Sequence, residues 1–324
     1  MWVYGLRRFL IRRASTAVIT LLAVTVLVFV LARMTGDPRV LLLGDQTQTS
    51  QEQWDKWGRD FGIDKPIAVQ YVIYLGKLVR GDLGDSILQR RPVSELIWNR
   101  LPNSAQLAGV AFAFSIVIGI PLGIVAAVTR GSAWDYSSRS FAMFGHAAPS
   151  FWVGIVLIFV FAVGVNVNLG LFEFKTDWFP TSRKEAGLLS YILPGLTLGW
   201  ASAGGQLRLM RSSMLEVLDA EYIKLARAKG ASRRTVILKH AVRNAFIAPL
   251  TYAGLTLAGL VTGTIVVETV FAWPGLGLLS IWAVNNSDYP ILQGVILLVT
   301  FAFVFTAFAT DVLYAFLDPR IRFT

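Results

Sequence analysis

The chain has 324 residues, of which 55% are hydrophobic and only 15% are charged. Because an ordinary soluble domain carries about 25% charged residues, this composition indicates a membrane protein. The chain contains no cysteine, which excludes disulfides and thiolate metal sites, and its two histidines are too few for a histidine-based metal cluster.

Six apolar stretches are long enough to cross a membrane, since a spanning helix needs about 20 residues. In chain order they are Ala14–Ala32, Ser104–Val128, Phe141–Leu169, Leu188–Leu207, Ala245–Val267 and Ile291–Leu317. The arginines before the first stretch also resemble a secretory signal peptide, but the run is long for one and five more follow. The sequence therefore predicts an all-α, polytopic membrane protein with six transmembrane helices.

The cations predict the orientation of these helices. The net charge of +10 fits cytoplasmic loops facing anionic lipid better than it fits nucleic-acid binding. Lysine and arginine are concentrated in both tails, after the second span and in residues 208–243. Both termini are therefore predicted to be cytoplasmic. We expect a tail and first helix over residues 1–32, an extracytoplasmic loop or cap over 33–100, and a core membrane domain of five helices over 101–324.

The loop over residues 33–100 has its own pattern. An amphipathic stretch with Val69, Val72, Ile73 and Leu78 is followed by "GDLGDS", and "VSELIWNRLP" predicts a short helix that ends at Pro102. A cap packed on the membrane surface is the favoured interpretation, and a docking surface for a partner is the alternative.

A basic hairpin lies between the fourth and fifth apolar stretches, within residues 212–244. Its core reads "EYIKLARAKGASRRTVILKHAVRNAF", Glu221–Phe246. Each charged side chain costs about 2.5–3.5 kcal/mol at the centre of a spanning helix, so this segment must lie outside the bilayer. Helical spacing predicts an apolar stripe of Leu218, Tyr222, Leu225 and Ala226, with Lys224 and Arg227 on another side.

Capping residues complete the hairpin prediction. Asp219 is the predicted N-cap of the first helix, Gly230 ends that helix, and Ser232 begins the second. Three interpretations compete: an amphipathic helix lying on lipid, a helix-turn-helix that reads DNA, and a docking element for a soluble partner. The membrane spans on both sides argue against DNA, and the small residues Ala226, Ala228 and Gly230 favour docking because they permit close approach.

The hairpin resembles the cytoplasmic loop of bacterial ABC-importer permeases of the dipeptide/oligopeptide/nickel subfamily. In the general pattern of these permeases, E-A-A, three residues and G are followed by I-x-L-P. Here Lys224, Leu225 and Ala226 stand at the E-A-A positions and Gly230 at the glycine, while His240, Val242 and Arg243 replace I-x-L-P. The versions "ARAKG" and "HAVRNA" resemble those of the peptide subfamily.

Further motifs extend the resemblance over nearly the whole chain. They are "GDP" at Gly36–Pro38, "GDLGDS", "RLPNS", "RSSMLEVLDAEYI", "ETVFAWPGLG" at Glu268–Gly277, "DYP" at Asp288–Pro290 and "DPRIR" at Asp318–Arg322. Their order implies a type I ABC importer permease fold in the bacterial cell membrane.

The resemblance also implies a function and an assembly. The chain would form half of a translocation pathway for peptides, completed by a second homologous permease, two ATP-binding-cassette ATPase subunits and an extracytoplasmic substrate-binding protein. Residues implied in coupling to the ATPases are Glu221, Tyr222, Leu225, Ala226, Arg227, Ala228, Lys229 and Gly230. Since the chain has no G-x-x-x-x-G-K-[ST], it is expected to bind no cofactor and to catalyse no reaction, with ATP and Mg held by the partner subunits.

Polar residues in or at the ends of the apolar stretches are candidates for the substrate path or gate, because an ionisable group inside a membrane is a functional hypothesis by default. They are His146, Gln206 and Asp311 within the stretches, Glu268 at the end of the fifth, and Trp273 in the motif that follows it. Packing and helix-end anchoring are the alternative for each.

Two other classes of protein are weighed against an ABC permease. An ion-coupled secondary transporter would need carboxylates near the midplane and usually internal repeats, and the sequence shows few of the first and none of the second. A membrane enzyme would need a catalytic motif, and H-E-x-x-H is absent. The substrate stays open among dipeptides, oligopeptides, nickel complexes and sugars.

Overall fold

The structure is a computed structural model that describes residues 2–34, 39, 50–60, 64–164, 167–168, 173–174, 178–180 and 184–317. The sequence motifs Gly36–Pro38 and Asp318–Arg322 lie outside these residues. Helices make up most of the described chain, so the all-α prediction is confirmed.

Thirteen helices follow one another along the described residues. They are α1 (Trp2–Met34), α2 (Gln51–Asp60), α3 (Ile67–Val79), α4 (Val93–Val128), α5 (Ala133–Ala147), α6 (Ser150–Ile158), α7 (Ile192–Leu218), α8 (Glu221–Ala228), α9 (Arg233–Thr235), α10 (Val242–Ala245), α11 (Ile247–Val270), α12 (Leu276–Asn285) and α13 (Tyr289–Leu317).

Shorter elements connect some of these helices. A π-helical turn, Phe159–Gly164, extends α6, a second π-helical turn, Val236–Ala241, joins α9 to α10, and a 3-10 helix, Lys184–Tyr191, precedes α7. Two strands of two residues each, β1 (Val167–Asn168) and β2 (Glu173–Phe174), pair antiparallel.

Length and apolar composition allow α1, α4 and α13 to cross a membrane as single helices. Two bent pairs raise the number of possible spans to five: α5 with α6, at an angle of 109°, and the two halves of α11, at 57°. The predicted fourth span falls in α7, whose glycine, glutamine and arginine content lowers its hydropathy. The predicted number of six transmembrane helices and the predicted cytoplasmic location of both termini therefore stay predictions.

Two proline positions have different outcomes. At Pro149 the chain bends, since α5 ends at Ala147 and α6 leaves at a sharp angle after the proline. The helix end expected at Pro102 is wrong, because α4 runs through that residue without interruption. A proline inside a helix removes one backbone N–H and crowds the preceding turn, but here Ile97 before Pro102 and Leu107 after it are both held by burial in hydrophobic clusters.

Contacts divide the described residues into two compact units. The first unit lies within Met1–Asn103 and Gly275–Phe308, and the second within Ser104–Pro274 and Ala309–Ile321. In the first unit, buried residues of α4, α12 and α13 form one cluster, composed of Val93, Leu96, Ile97, Leu276, Leu279, Ala283, Ile291 and Val295. The domain boundaries expected at residues 33 and 101 stay predictions.

Helix α7 is the centre of the second unit and packs against α5, α6 and α11. Two of its glycines bring backbones together. A Cβ atom on Gly199 would lie 2.6 Å from the carbonyl oxygen of Ala111 in α4, and one on Gly204 would lie 2.8 Å from that of Ala142 in α5. The small residues of "GWASAGGQ" thus serve close helix contact, as expected of a membrane bundle.

Candidate coupling surface and membrane path

The basic hairpin is folded against the ends of the long helices. Ile223 of α8 is fully buried and belongs to a cluster with Met210 and Met214 of α7 and Ile120 of α4. Val236, Ala241 and Ala245 of the second half of the hairpin join the same cluster. The hairpin therefore packs directly on α4 and α7.

Gly230 makes the turn between the two halves of the hairpin. Its φ of +81° lies in the left-handed region, which favours glycine. Backbone bonds close the turn, from Gly230 N to Arg227 O at 3.0 Å and from Ala231 N to Ala226 O at 3.1 Å. The predicted glycine stop is confirmed.

The two predicted N-caps of the hairpin differ in outcome. The Ser232 hydroxyl accepts a hydrogen bond from Thr235 N, as predicted. Asp219 is instead the C-cap residue of α7, and Ala220 is the N-cap of α8. The chain needs one more residue to turn from α7 into α8 than the sequence pattern suggested.

The predicted apolar stripe is divided between two helices. Leu218 is the last residue of α7, whereas Tyr222, Leu225 and Ala226 belong to α8. The prediction gave the stripe no direction, and the structure buries Ile223 and leaves Tyr222 and Leu225 45% and 56% exposed. Two large apolar side chains thus stand on the surface of the hairpin.

The other coupling candidates surround these two side chains. Glu221, Arg227, Ala228, Lys229 and Gly230 are exposed, and Ala226 is half-buried. Lys224 Nζ lies 2.7 Å from Glu221 Oε1, in an exposed ion pair. Arg227 also lines a cavity of about 350 Å³ between the hairpin and the ends of α4 and α7.

A buried carboxylate that the sequence did not single out lies where α5 meets α7. Asp135 Oδ1 accepts from Arg211 Nε at 2.7 Å, and its Oδ2 accepts from Arg211 Nη2 at 3.0 Å and from Gly131 N at 3.0 Å. Arg139 Nε lies 3.5 Å from the same carboxylate. This bidentate pair fixes α5 to the part of α7 that leads into the hairpin.

Two of the five gate candidates meet at the end of α11. Glu268 and Trp273 are both buried, and Trp273 N donates to the backbone oxygen of Glu268 at 2.7 Å. Ala272, between them, has a φ of +46°. The Trp273 ring packs edge-on against Tyr191, with centroids 4.7 Å apart. The motif "ETVFAWPG" is therefore a tight interior turn.

The other three gate candidates lie elsewhere. Gln206 of α7 is fully buried, and its side-chain amide, oriented by its hydrogen bonds, donates to Pro249 O and accepts from Ala253 N, both at 3.1 Å. It thereby bonds α7 to α11, as the packing interpretation expects. His146 is exposed near the end of α5, and Asp311 is half-buried in α13.

A groove between α7 and α11 contains polar groups that are not among the path or gate candidates predicted from the sequence. It encloses about 340 Å³ and is lined in part by Ser202, Tyr252 and Thr256 and by the bare backbone of Gly259 and Gly263. The Thr256 hydroxyl is buried and has no hydrogen-bond partner within the described residues. Polar groups inside a membrane protein face a partner or a water-filled path.

Two separate sequence motifs of the first unit come together at Asp288. This carboxylate is fully buried, and its Oδ2 accepts from the Ser86 hydroxyl at 2.6 Å and from Leu88 N at 3.1 Å. The "DYP" at the start of α13 thereby holds the end of "GDLGDS".

Comparison with known proteins agrees with this architecture. Residues 119–323 match the family of binding-protein-dependent transport system inner membrane components, and residues 6–108 match the N-terminal model of the same membrane components. The chain belongs to this family of ABC-importer permeases. It is therefore a transport subunit of the bacterial inner membrane, and the family implies ATPase and binding-protein partners in general.

Relatives of this permease are similar over almost their whole length. The oligopeptide transport system permease protein AppB of Bacillus subtilis is 36% identical over 326 residues, covering 97% of this chain and 99% of AppB. The dipeptide transport system permease protein DppB of Escherichia coli is 35% identical over 335 residues, covering 97% and 98%. The resemblance to the peptide subfamily is thus confirmed.

Solved structures of ABC transporters share the fold. An inward-facing form of the MetNI methionine ABC transporter matches 69% of this permease and 96% of the solved chain, with a TM-score of 0.56 and 19% identity. At this identity the match shows the type I importer permease fold and nothing about the substrate.

Proposed function

We propose that this permease forms half of a translocation pathway for peptides and that the Glu221–Phe246 hairpin couples it to separate ATPase subunits. The observation that carries the coupling proposal is the exposure of Tyr222 and Leu225 on a helix anchored beneath by Ile223. Adjoining exposed apolar side chains suit an interaction with a protein or a membrane, and the charges around this pair favour a protein partner. Peptides are proposed as substrates because AppB and DppB are named as peptide permeases.

The remaining partners complete the proposal. A second homologous permease would supply the other half of the path, an extracytoplasmic binding protein would deliver the peptide, and two ATPase subunits would bind ATP and Mg, while this chain binds no cofactor. Glu221, Ala226, Arg227, Ala228 and Lys229 would surround the contact with one ATPase. Gly230 would maintain the bend.

The path itself is proposed to follow the groove between α7 and α11. Ser202 and Thr256 supply hydroxyl groups there, and Gly259 and Gly263 leave room beside the helix backbone. The buried candidates Glu268 and Trp273 would stabilise the end of α11 as part of the gate, and His146, Gln206 and Asp311 are proposed as further path or gate residues.

The coupling proposal is tested by replacing Gly230 with valine in the complete transporter. A side chain at this φ costs about 1–2 kcal/mol but meets no atom within 4 Å, so the protein should still reach the membrane. We expect uptake to fall at least about tenfold while ATP hydrolysis by the complex continues, since 1.4 kcal/mol corresponds to a factor of ten.

Gly187 provides the matched control, because it also has a positive φ of +69° and open space around its Cβ position. Gly187→Val introduces comparable strain outside the hairpin and should leave coupling intact. Normal coupled uptake by Gly230→Val, or equal loss in both variants, would contradict the proposal.

The path proposal is tested by cysteine labelling, which is simple because the native chain has no cysteine. Ser202→Cys should react with a water-soluble maleimide, and transported peptide should slow that reaction. Ala142→Cys, buried between α5 and α7, should stay unreactive. No reaction at position 202 would exclude a water-filled path there.

A further inference from the structure

Helix α3 packs against α1 through aromatic and hydroxyl groups. The hydroxyls of Thr25 and Tyr71 hydrogen-bond at 2.9 Å. The ring of Phe29 contacts the rings of Tyr71 and Tyr74, with centroids 5.3 and 5.5 Å apart. The contact therefore involves the part of α1 just before its last turns.

The position of Thr25 places this contact within the membrane. The uncharged segment Ala14–Ala32 lies between Arg13 and Arg33. At a rise of about 1.5 Å per residue it is about 28 Å long, which matches a hydrocarbon core of about 30 Å. By the same rise Thr25 lies about 12 Å below Arg33. Helix α3 therefore meets α1 at the depth of one leaflet, not above the bilayer.

The outward face of α3 is apolar. A helix of this length covers about 20 Å and cannot span the membrane. Its exposed residues include Val69, Val72, Ile73 and Val79, and the stretch Pro66–Gly76 contains no charged residue. Charge enters only in the last turn, at Lys77 and Arg80. The nearby surface of α1 exposes Leu27, Val30 and Leu31. At this depth, the acyl chains of lipids are the solvent for such a surface.

A cavity of about 370 Å³ opens between the last turns of α1, α3, the loop Gly81–Ile87 and the start of α13. Two cations, Arg33 and Lys77, and two carboxylates, Asp82 and Asp85, line it. Tyr74 lines it too, and its buried hydroxyl has no hydrogen-bond partner within the described residues. The volume is within the usual range of small-molecule sites, about 300–1,000 Å³.

We propose that this cavity binds the headgroup of a phosphatidylethanolamine-type phospholipid from the leaflet at the Arg33 end of α1. Arg33 and Lys77 match the phosphate, because guanidinium and ammonium groups form charge-assisted hydrogen bonds with phosphate oxygens. Asp82 and Asp85 match the primary ammonium of ethanolamine. The acyl chains lie along the exposed apolar surfaces of α1 and α3.

The charge pattern selects among headgroups. A primary ammonium donates hydrogen bonds to carboxylates, whereas the quaternary ammonium of choline has no N–H to donate. The termini of a transported peptide offer the same pair of charges as phosphoethanolamine. Lipid is the favoured source because the cavity adjoins apolar surfaces at membrane depth.

Native mass spectrometry of the purified full-length chain, freed of lipid in detergent, tests the headgroup assignment. The probes are dihexanoyl phosphatidylethanolamine and dihexanoyl phosphatidylcholine. The ethanolamine lipid should bind at least about tenfold more tightly, the scale of a charge-assisted hydrogen bond. No ATPase or transport is involved, so the result does not depend on the function proposed above.

Variants assign the binding to the cavity. The double variant Asp82→Asn and Asp85→Asn should abolish the preference while both lipids still bind. Its loop should keep its shape, since the amide oxygen introduced at position 82 can accept from Gly84 N as the Asp82 carboxylate does at 2.8 Å. Lys77→Gln should weaken both lipids by a similar factor. Glu52→Gln, an exposed carboxylate outside the cavity, is the matched control and should change neither.

Three results would overturn the assignment. They are equal binding of the two lipids by the unmodified chain, a preference that survives in the double variant, and displacement of the ethanolamine lipid by dialanine in a manner that needs Asp82 and Asp85. The last would assign the cavity to peptide termini.

Cysteine labelling in liposomes tests the depth of α3 separately. Val72→Cys should resist a membrane-impermeant maleimide, while Lys56→Cys on the polar helix α2 should react fully. Equal reaction at both positions would place α3 outside the lipid and would remove the support for acyl chains along it.

Discussion

Asp135 and Asp288 are both buried, and each joins segments far apart in the sequence, but the chemistry of the two sites differs. Asp135 is held by the guanidinium of Arg211 and by Gly131 N. Asp288 is held by neutral donors, the Ser86 hydroxyl and Leu88 N. A guanidinium adds the attraction of opposite charges to its hydrogen bonds with a carboxylate, which uncharged donors do not. The second unit is thus fastened by an ion pair close to the hairpin, whereas the first unit is fastened by hydrogen bonds from uncharged donors at the start of α13.

The largest expected effect is at Asp135. Asp135→Asn leaves the partly buried Arg211 without its counter-charge, and removing one partner of a buried pair costs about 3–5 kcal/mol. Denaturation of the purified protein in detergent should show this loss in the free energy of unfolding. Arg139→Gln, which removes the longer 3.5 Å contact and the stacking of Arg139 on the Tyr136 ring, should cost far less. Equal losses in both variants would remove the distinction between the two arginines.

Helix α8 carries one apolar side chain that is buried, Ile223, and another that is exposed, Leu225, so their roles can be tested separately. Ile223→Ala empties a fully buried position and should lower stability by about 2–5 kcal/mol, with faster proteolysis of Glu221–Phe246. Leu225→Ala, at an exposed position on the same helix, should leave stability unchanged but weaken co-purification of the ATPase subunits. A stable Ile223→Ala protein would show that α8 is not anchored by its apolar side chain.

The Asp288 site, whose donors are uncharged, should contribute less to the free energy of unfolding than the Asp135 site. Asp288→Ala deprives Ser86 and Leu88 of their acceptor, and a buried unsatisfied donor costs about 1–3 kcal/mol. Ser86→Ala removes one of the two bonds and should cost less than Asp288→Ala. The same denaturation measurement applies, and a loss larger than that of Asp135→Asn would reverse the comparison.

The smallest effect is expected at the exposed ion pair of α8. Lys224→Gln removes its contact with Glu221, and exposed pairs of this spacing contribute at most about 0.5 kcal/mol. Stability should be indistinguishable from that of the parent protein. A clear loss would indicate that Lys224 has a role within the fold itself.

Local patterns in the sequence predicted local structure well. The glycine turn at Gly230 and the cap at Ser232 depend on neighbouring backbone groups, and both are confirmed. The spacing of the apolar residues could not say which of them is buried, and only tertiary contacts decide that Ile223 faces the interior. The helix end at Pro102 was wrong because packing on both sides of that residue outweighs the cost of a proline inside a helix.

Contacts between distant residues could not be predicted from one sequence. Arg211 is 76 residues from Asp135, and Ser86 is 202 residues from Asp288. No spacing rule relates such pairs. The motifs "GDLGDS" and "DYP" have no visible relation in the sequence, and only the folded chain shows that Ser86 of the first donates to Asp288 of the second.

The close contacts made by Gly199 and Gly204 have a mechanical consequence. Interposed side chains could change rotamer and absorb a small displacement, but bare backbones cannot. If α7 spun about its own axis, it would drive carbonyl oxygens of α4 and α5 into its main chain. A displacement of the hairpin should therefore tilt α4, α5 and α7 together as one rigid body. Their register relative to one another should not change.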